Sequence, residues 1–210
     1  MKSLFTISIL ALICIQSYAQ DQIDAFIQEA QTFIAQKEYK QAQLSLQDAI
    51  NEINTLIAGQ IAEALPNEIN GLTSSNEQTM VGGGMGIVGG GLQITKSYQH
   101  PSKAENNAEL VLLANSPLLS SMTMFLANPA MLGEGYKSVR VGTNRAIMKT
   151  EMQDYYMDNG SSKQIRSSEI QIPLSQTMIT INARGFASEQ EELAFATKLD
   201  IAKLKVLLGE

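Results

Sequence analysis

Reaction chemistry needs side chains that titrate, coordinate or attack, and this chain holds few of them. It has one histidine and one cysteine in 210 residues. Cys14 sits inside an apolar run near the start, so no thiol follows it. His100 precedes Pro101 in a turn, whereas a zinc site needs three or four ligands. A serine nucleophile needs an imidazole beside it, and only His100 could supply one. Glu189, Glu191 and Glu192 cluster at a helix start, where carboxylates complement the dipole. The ten methionines raise the question of soft Cu(I). Met122 and Met124 are two apart on a helix and diverge; Met148 and Met152 share a strand face but lie about 13 Å apart. Asp158-Asn159-Gly160 fails as a calcium loop, because Tyr155 and Met157 would occupy ligand positions. Gly84-Met85-Gly86-Ile87-Val88-Gly89 matches G-x-G-x-x-G, yet it lacks the strand before it and the helix after it that aim N–H groups at a pyrophosphate. Tyr136, Tyr155 and Tyr156 could line a ligand surface, but on strands such residues more often serve cross-strand packing. The sequence therefore assigns no catalytic residue, no cofactor site and no metal site.

Compartment and charge bound the function further. Lys2, the apolar run Leu4 to Ile15, and Ser17-Tyr18-Ala19 form the three parts of a secretory signal peptide over residues 1–19. The run is too short for a membrane span. The expectation is an exported protein, periplasmic or secreted from a bacterial envelope, with no disulfide framework. The chain carries 15 basic and 21 acidic residues, a formal net charge of −6, without a basic run. That excludes the electrostatic footprint of a nucleic-acid partner.

Hydrophobic spacing then divides the chain. Residues 20–65 predict a helical hairpin: Ile23, Phe26, Ile27, Ala30, Phe33 and Ile34 recur at helical spacing, a break follows at Lys37-Glu38, and the pattern resumes from Ala42 to Ile57. Its inner surface is expected to hold Phe26, Phe33, Tyr39 and Leu46. Residues 66–91 predict a Gly/Ser/Asn-rich linker, with seven glycines between Gly82 and Gly91; a glycine-rich edge strand is the alternative. Residues 92–210 predict an α+β domain of order β-β-α-β-β-β-β-α, an antiparallel sheet with helices packed on it. Its strands are 92–99, 108–114, 137–142, 145–157, 163–174 and 177–184, with Asn159-Gly160 as a hairpin turn. Ser116-Pro117 opens the inner helix, and Ser188-Glu189-Gln190-Glu191 is a capping box opening the last one. Asp200 caps a further short helix.

Two resemblances accompany this reading. Lys37-Glu38-Tyr39-Lys40-Gln41-Ala42, with Leu46 and Ala49, resembles the middle of a tetratricopeptide repeat, although such arrays need about three units; an ordinary α-hairpin with apolar inner faces is the preferred reading. Asn115-Ser116-Pro117-Leu118-Leu119 before the inner helix, with the element order, resembles the Mog1/PsbP-like sandwich and exported bacterial proteins of that build. The resemblance implies a fold and an accessory or binding role, with no active site to transfer.

Three function classes follow in order. The first is a non-enzymatic accessory or interaction protein: so small a hairpin core is not stable alone, and its apolar faces either pack on the protein's own sheet or dock a protein partner or a second copy. The second is a carrier of a small apolar ligand, held between the sheet and the helix at 117–128 by Met122, Phe125, Met148 and Met178. The third is a hydrolase using paired carboxylates.

Overall fold

The computed structural model describes residues 20–74, 79–83, 92–114, 134–157 and 160–210. The chain forms two compact units whose boundary falls inside a helix, between Ile57 and Ala58. The class is α+β, with an N-terminal helical hairpin and an antiparallel sheet, as the spacing predicts.

The first unit is the hairpin. Helix α1 covers residues 20–35, and α2, Tyr39–Ala64, begins it anew after a three-residue turn. The turn ends α1 in a Schellman motif: Lys37 N–H donates to Ile34 O at 3.0 Å and Glu38 N–H to Phe33 O at 2.8 Å. Lys37 takes the left-handed backbone (φ 62°) that this motif requires. Glycine is the residue suited to that conformation, which costs other L-residues about 1–2 kcal/mol. Lys37→Gly is therefore expected to stabilise the hairpin by about 0.5–1 kcal/mol after the extra chain entropy of glycine is subtracted. Denaturant unfolding followed by helical circular dichroism checks it; a loss of stability would contradict the strained turn.

The second unit is built on a nine-stranded sheet in which every pairing is antiparallel. Its strands are β1 (Glu68–Ile69), β2 (Leu72–Thr73), β3 (Thr79–Gly83), β4 (Leu92–His100), β5 (Lys103–Ala114), β6 (Tyr136–Val141), β7 (Asn144–Tyr156), β8 (Ser162–Pro173) and β9 (Thr177–Arg184). They are ordered β1-β2-β4-β5-β9-β8-β7-β6, with β3 also on β4. Two helices close the chain, α3 (Glu189–Thr197) and α4 (Ile201–Leu208). Six strands thus fall where alternation and turn residues put them. The expected helix at 117–128 lies outside the described residues.

The segment read as linker is partly sheet. Asn70 (φ 51°) and Gly71 (φ 82°) form a two-residue turn with both residues left-handed, and Ile69 pairs with Leu72 across it. That is the turn whose twist matches a β-hairpin. Gly82 and Gly83 end β3, an edge strand, in line with the alternative reading of the glycine-rich stretch.

Register assigns each side chain to a face. Ile94, Leu112, Ile179 and Ile172 stand in one row, and Leu110, Ile181, Ile170 and Met148 in the next but one, all buried. Phe195 of α3 packs on this face, edge-on to Tyr98 at 5.3 Å and to Phe186 at 5.8 Å between centroids. Ala58, Ile61 and Leu65, at the end of α2, are buried in the same unit. Lys96, buried on this face, donates to Leu65 O (3.0 Å) and Asn67 Oδ1 (2.8 Å), so its ammonium meets the negative end of α2. Desolvation holds its pKa below the usual lysine value. The opposite face is polar over most of its area, carrying Glu109, Asn182, Arg184, Glu169, Lys149 and Glu151. One apolar island interrupts it: buried Ile147 and Met178, with Leu113 and Tyr136 against them.

Candidate functional site

Among the described residues, one group could do chemistry and one apolar surface could bind. The first is Glu192, which is fully buried. It belongs to α3 because Ser188 caps the helix, accepting from Glu191 N–H at 3.3 Å, while Glu191 accepts from Ala187 N–H at 3.0 Å. Glu192 then falls in the row with Phe195, Ala196 and Leu199, at i, i+3, i+4 and i+7, and must enter the core with them. There Arg166 Nε donates to both its oxygens at 3.1 Å, and Ser168 Oγ to Oε1 at 2.7 Å. Arg166 Nη2 also donates to Thr150 Oγ1 (3.2 Å), which lies 2.9 Å from Ser168 Oγ.

Burial pushes the Glu192 carboxyl above the usual range, against the opposing pull of Ser168 and Arg166. A raised carboxyl pKa is a mark shared by catalytic acids and by structural ion pairs. Here the carboxylate has no exposed surface, and its neighbour is a guanidinium, where the paired-carboxylate reading needs a second carboxylate. Catalysis requires reach to a substrate proton. The network holds α3 on β7 and β8; it does not present a group to a substrate.

Other expected sites disperse. His100 Nδ1 accepts from Ser102 N–H at 3.2 Å within its own turn. Among the described residues no three His, Cys, Asp or Glu side chains gather as a metal would need. Tyr136 packs against the apolar island and under Lys149, whose Nζ is 5.6 Å from its ring. Tyr155 shares that face three alternations along β7, and Tyr156 points to the other. Met122, Phe125 and the G-x-G-x-x-G stretch lie outside the described residues. Met148 and Met178 stand on opposite faces of the sheet by register, so they cannot line one cavity as the carrier reading requires.

The binding surface is on the hairpin. Its inner seam differs from the expected one. Ala30 of α1 and Ala42, Ser45 and Ala49 of α2 are buried there, with Phe26 and Phe33 half-buried. Ser45 Oγ links the helices by donating to Glu29 Oε2 at 2.9 Å. Small side chains let the helices approach, and a large residue on α2 at the same place would hold them apart. Tyr39 and Leu46 are accordingly not inner residues: they are 65% and 44% exposed. They continue into Ile50 and Ile53, exposed by 48% and 41%. At 100° per residue, Tyr39, Leu46, Ile50 and Ile53 occupy an arc of about 60°, some 80° from the seam. On α1, Ile27 and Ile34 are displaced from the seam of Phe26, Ala30 and Phe33 in the same sense, and are 37% and 50% exposed. Both helices are right-handed and run in opposite directions, so stripes displaced in the same sense fall on one side of the hairpin. Glu29, Asp48 and Glu52 take the opposite side. Phe26 and Phe33 thus support a face that Ile27, Ile34, Tyr39, Leu46, Ile50 and Ile53 present.

No family model, no characterised protein and no solved structure matches the chain. Among the described residues no helix is long and apolar enough to cross a membrane.

Proposed function

We propose that the protein is a non-enzymatic interaction or accessory module, exported to the bacterial envelope, which docks a protein partner through the apolar side of its hairpin. One observation carries the reading: of seven large apolar side chains exposed on the hairpin, all but Leu44 fall on one side of two adjacent helices, while Glu29, Asp48 and Glu52 are on the other. Scattered exposed hydrophobics are ordinary, but a contiguous apolar patch with a polar reverse marks a contact surface. The sheet unit then serves as the body that carries the hairpin. The kinship with Mog1/PsbP-like accessory proteins and the leader at 1–19 belong to the same proposal.

The test is photo-cross-linking in the native host from a benzoylphenylalanine at Ile50, against the same probe at Asp48 on the far side. A discrete adduct from position 50 and none from 48 is expected. Equal labelling from both positions, or from neither, would overturn the docking reading.

A further inference from the structure

Resting on that reading, we infer that the occupant of the apolar face is a second copy of this chain, and that two hairpins close into a four-helix bundle. The argument begins with spacing. Along α2, Tyr39, Gln43, Leu46, Ile50, Ile53 and Ile57 follow one another in steps of four and three. That alternation is the heptad rule for a helix seated against another helix. The inner seam of the same helix, Ala42, Ser45 and Ala49 with Leu56 a heptad beyond, obeys the rule as well. A helix with two adjacent seams packs against two neighbours; α1 fills the first, while Tyr39, Leu46, Ile50 and Ile53 of the second stay 41–65% exposed. This is the situation of a helix in a bundle of four.

The missing neighbour must itself be a pair of antiparallel helices, since α1 and α2 both present a stripe to the same side. The hairpin of a second copy is such a pair, and its own stripes have the same spacing. A two-fold axis through the face then matches each stripe to an equivalent one, which is how most closed dimers form.

Charge favours a like partner over an unlike one. Chain charge is negative overall, so two copies would repel if carboxylates lined the contact. Beside the stripes stand two amides, Gln31 on α1 and Gln47 on α2, with one carboxylate, Asp24 on α1. Glu29, Asp48 and Glu52 are turned away. A surface built for a basic partner would put its acidic residues at the rim, where they steer and specify. A rim with a single carboxylate limits the repulsion between identical chains, and its amides offer paired hydrogen bonds across a two-fold.

Area is sufficient. Six large side chains exposed by 37–65% amount to about 500 Å² of apolar surface per copy, near the largest patch that monomers leave uncovered. Doubled, and with the amide rim added, it reaches about 1,200 Å², the lower bound of specific interfaces. A dimer in reversible exchange with monomer is the expected state.

Sedimentation velocity of the intact protein over about 1–200 μM decides the matter. A concentration-dependent dimer is expected, with Ile50→Glu weakening it by at least about a hundredfold and Ile50→Leu by less than about tenfold. Leu46→Glu should repeat the first effect, which guards against one variant failing to fold; circular dichroism must stay unchanged in each. Asp48→Lys, on the far side, should leave the dimer intact. A monomer at the top of the range, or a dimer indifferent to both glutamates, overturns self-association. In that event a heterologous adduct from position 50 would preserve the docking reading, and no adduct would end both.

Discussion

Glu192→Ala is expected to lower stability by about 3–5 kcal/mol, the usual cost of removing one partner from a buried charged pair. The carboxylate is fully buried and accepts from Arg166 Nε and from Ser168 Oγ. Truncating it leaves a guanidinium, two hydroxyls and a void where a closed network stood. Urea unfolding should show the loss, and a thermal scan a fall of about 10 °C. A change under about 1 kcal/mol would mean that water replaces the carboxylate at little cost. The pair as a whole is a different matter. Replacing Arg166 and Glu192 together by leucine removes both desolvation costs, and should be milder than Glu192→Ala alone. The pH dependence has a definite sign. Burial raises the folded-state pKa of Glu192 above 4.5, so the folded protein holds this proton more tightly than the unfolded chain. Its contribution is complete below 4.5 and is lost as pH rises through the raised folded value. The wild type should therefore lose stability relative to Glu192→Gln as pH increases above 4.5.

Gly185→Ala should be comparably damaging, for a reason confined to one atom. Gly185 directly follows β9 with φ +69°, and its N–H donates to Arg166 O at 2.8 Å. A Cβ there would lie 2.3 Å from Glu105 O and 2.8 Å from Glu105 C, both backbone atoms of β5. A flexible side chain could give way, but a strand backbone cannot without unpairing. The left-handed conformation alone costs about 1–2 kcal/mol; with the collision the total should reach about 3 kcal/mol or more. Gly71→Ala supplies the control, since Gly71 is also left-handed (φ +82°) with nothing within 4 Å of its would-be Cβ. Denaturant midpoints of the two variants separate the effects. Equal losses would show that the close approach to β5 is relieved by a small shift.

These two residues also show how unevenly the molecule was legible. Position 192 carries a readable signal, a glutamate at i with Phe195, Ala196 and Leu199 at i+3, i+4 and i+7. Read instead as one of three acids at a helix start, it passes for a dipole complement, because Glu189 and Glu191 are just that kind of residue. Its partner lies 26 residues earlier, on β8, where nothing in the spacing marks Arg166 as inward. Asn70-Gly71 was equally readable as a hairpin turn, but strands of two residues leave no alternation to support it. The methionines of the carrier reading fail on register. Met148 and Met178 each suit a buried strand, and only the pairing of β7, β8 and β9 shows them back to back.

What the sequence by itself determined is whatever depends on neighbours in the chain. The six long strands, the caps at Ser188 and Asp200, the hairpin break at Lys37-Glu38 and the α+β class rest on periods of 2 and 3.6 and on turn residues, all of which act within a few positions. What only the tertiary structure decided is which of two valid faces goes inward. On α2 the run Ala42, Ser45, Ala49 and the run Tyr39, Leu46, Ile50, Ile53 both satisfy helical packing, and hydrophobicity favours the second. The structure buries the first, because close approach of two helices rewards small side chains over large ones. That choice leaves the large residues outside, and with them the surface through which the protein is proposed to act.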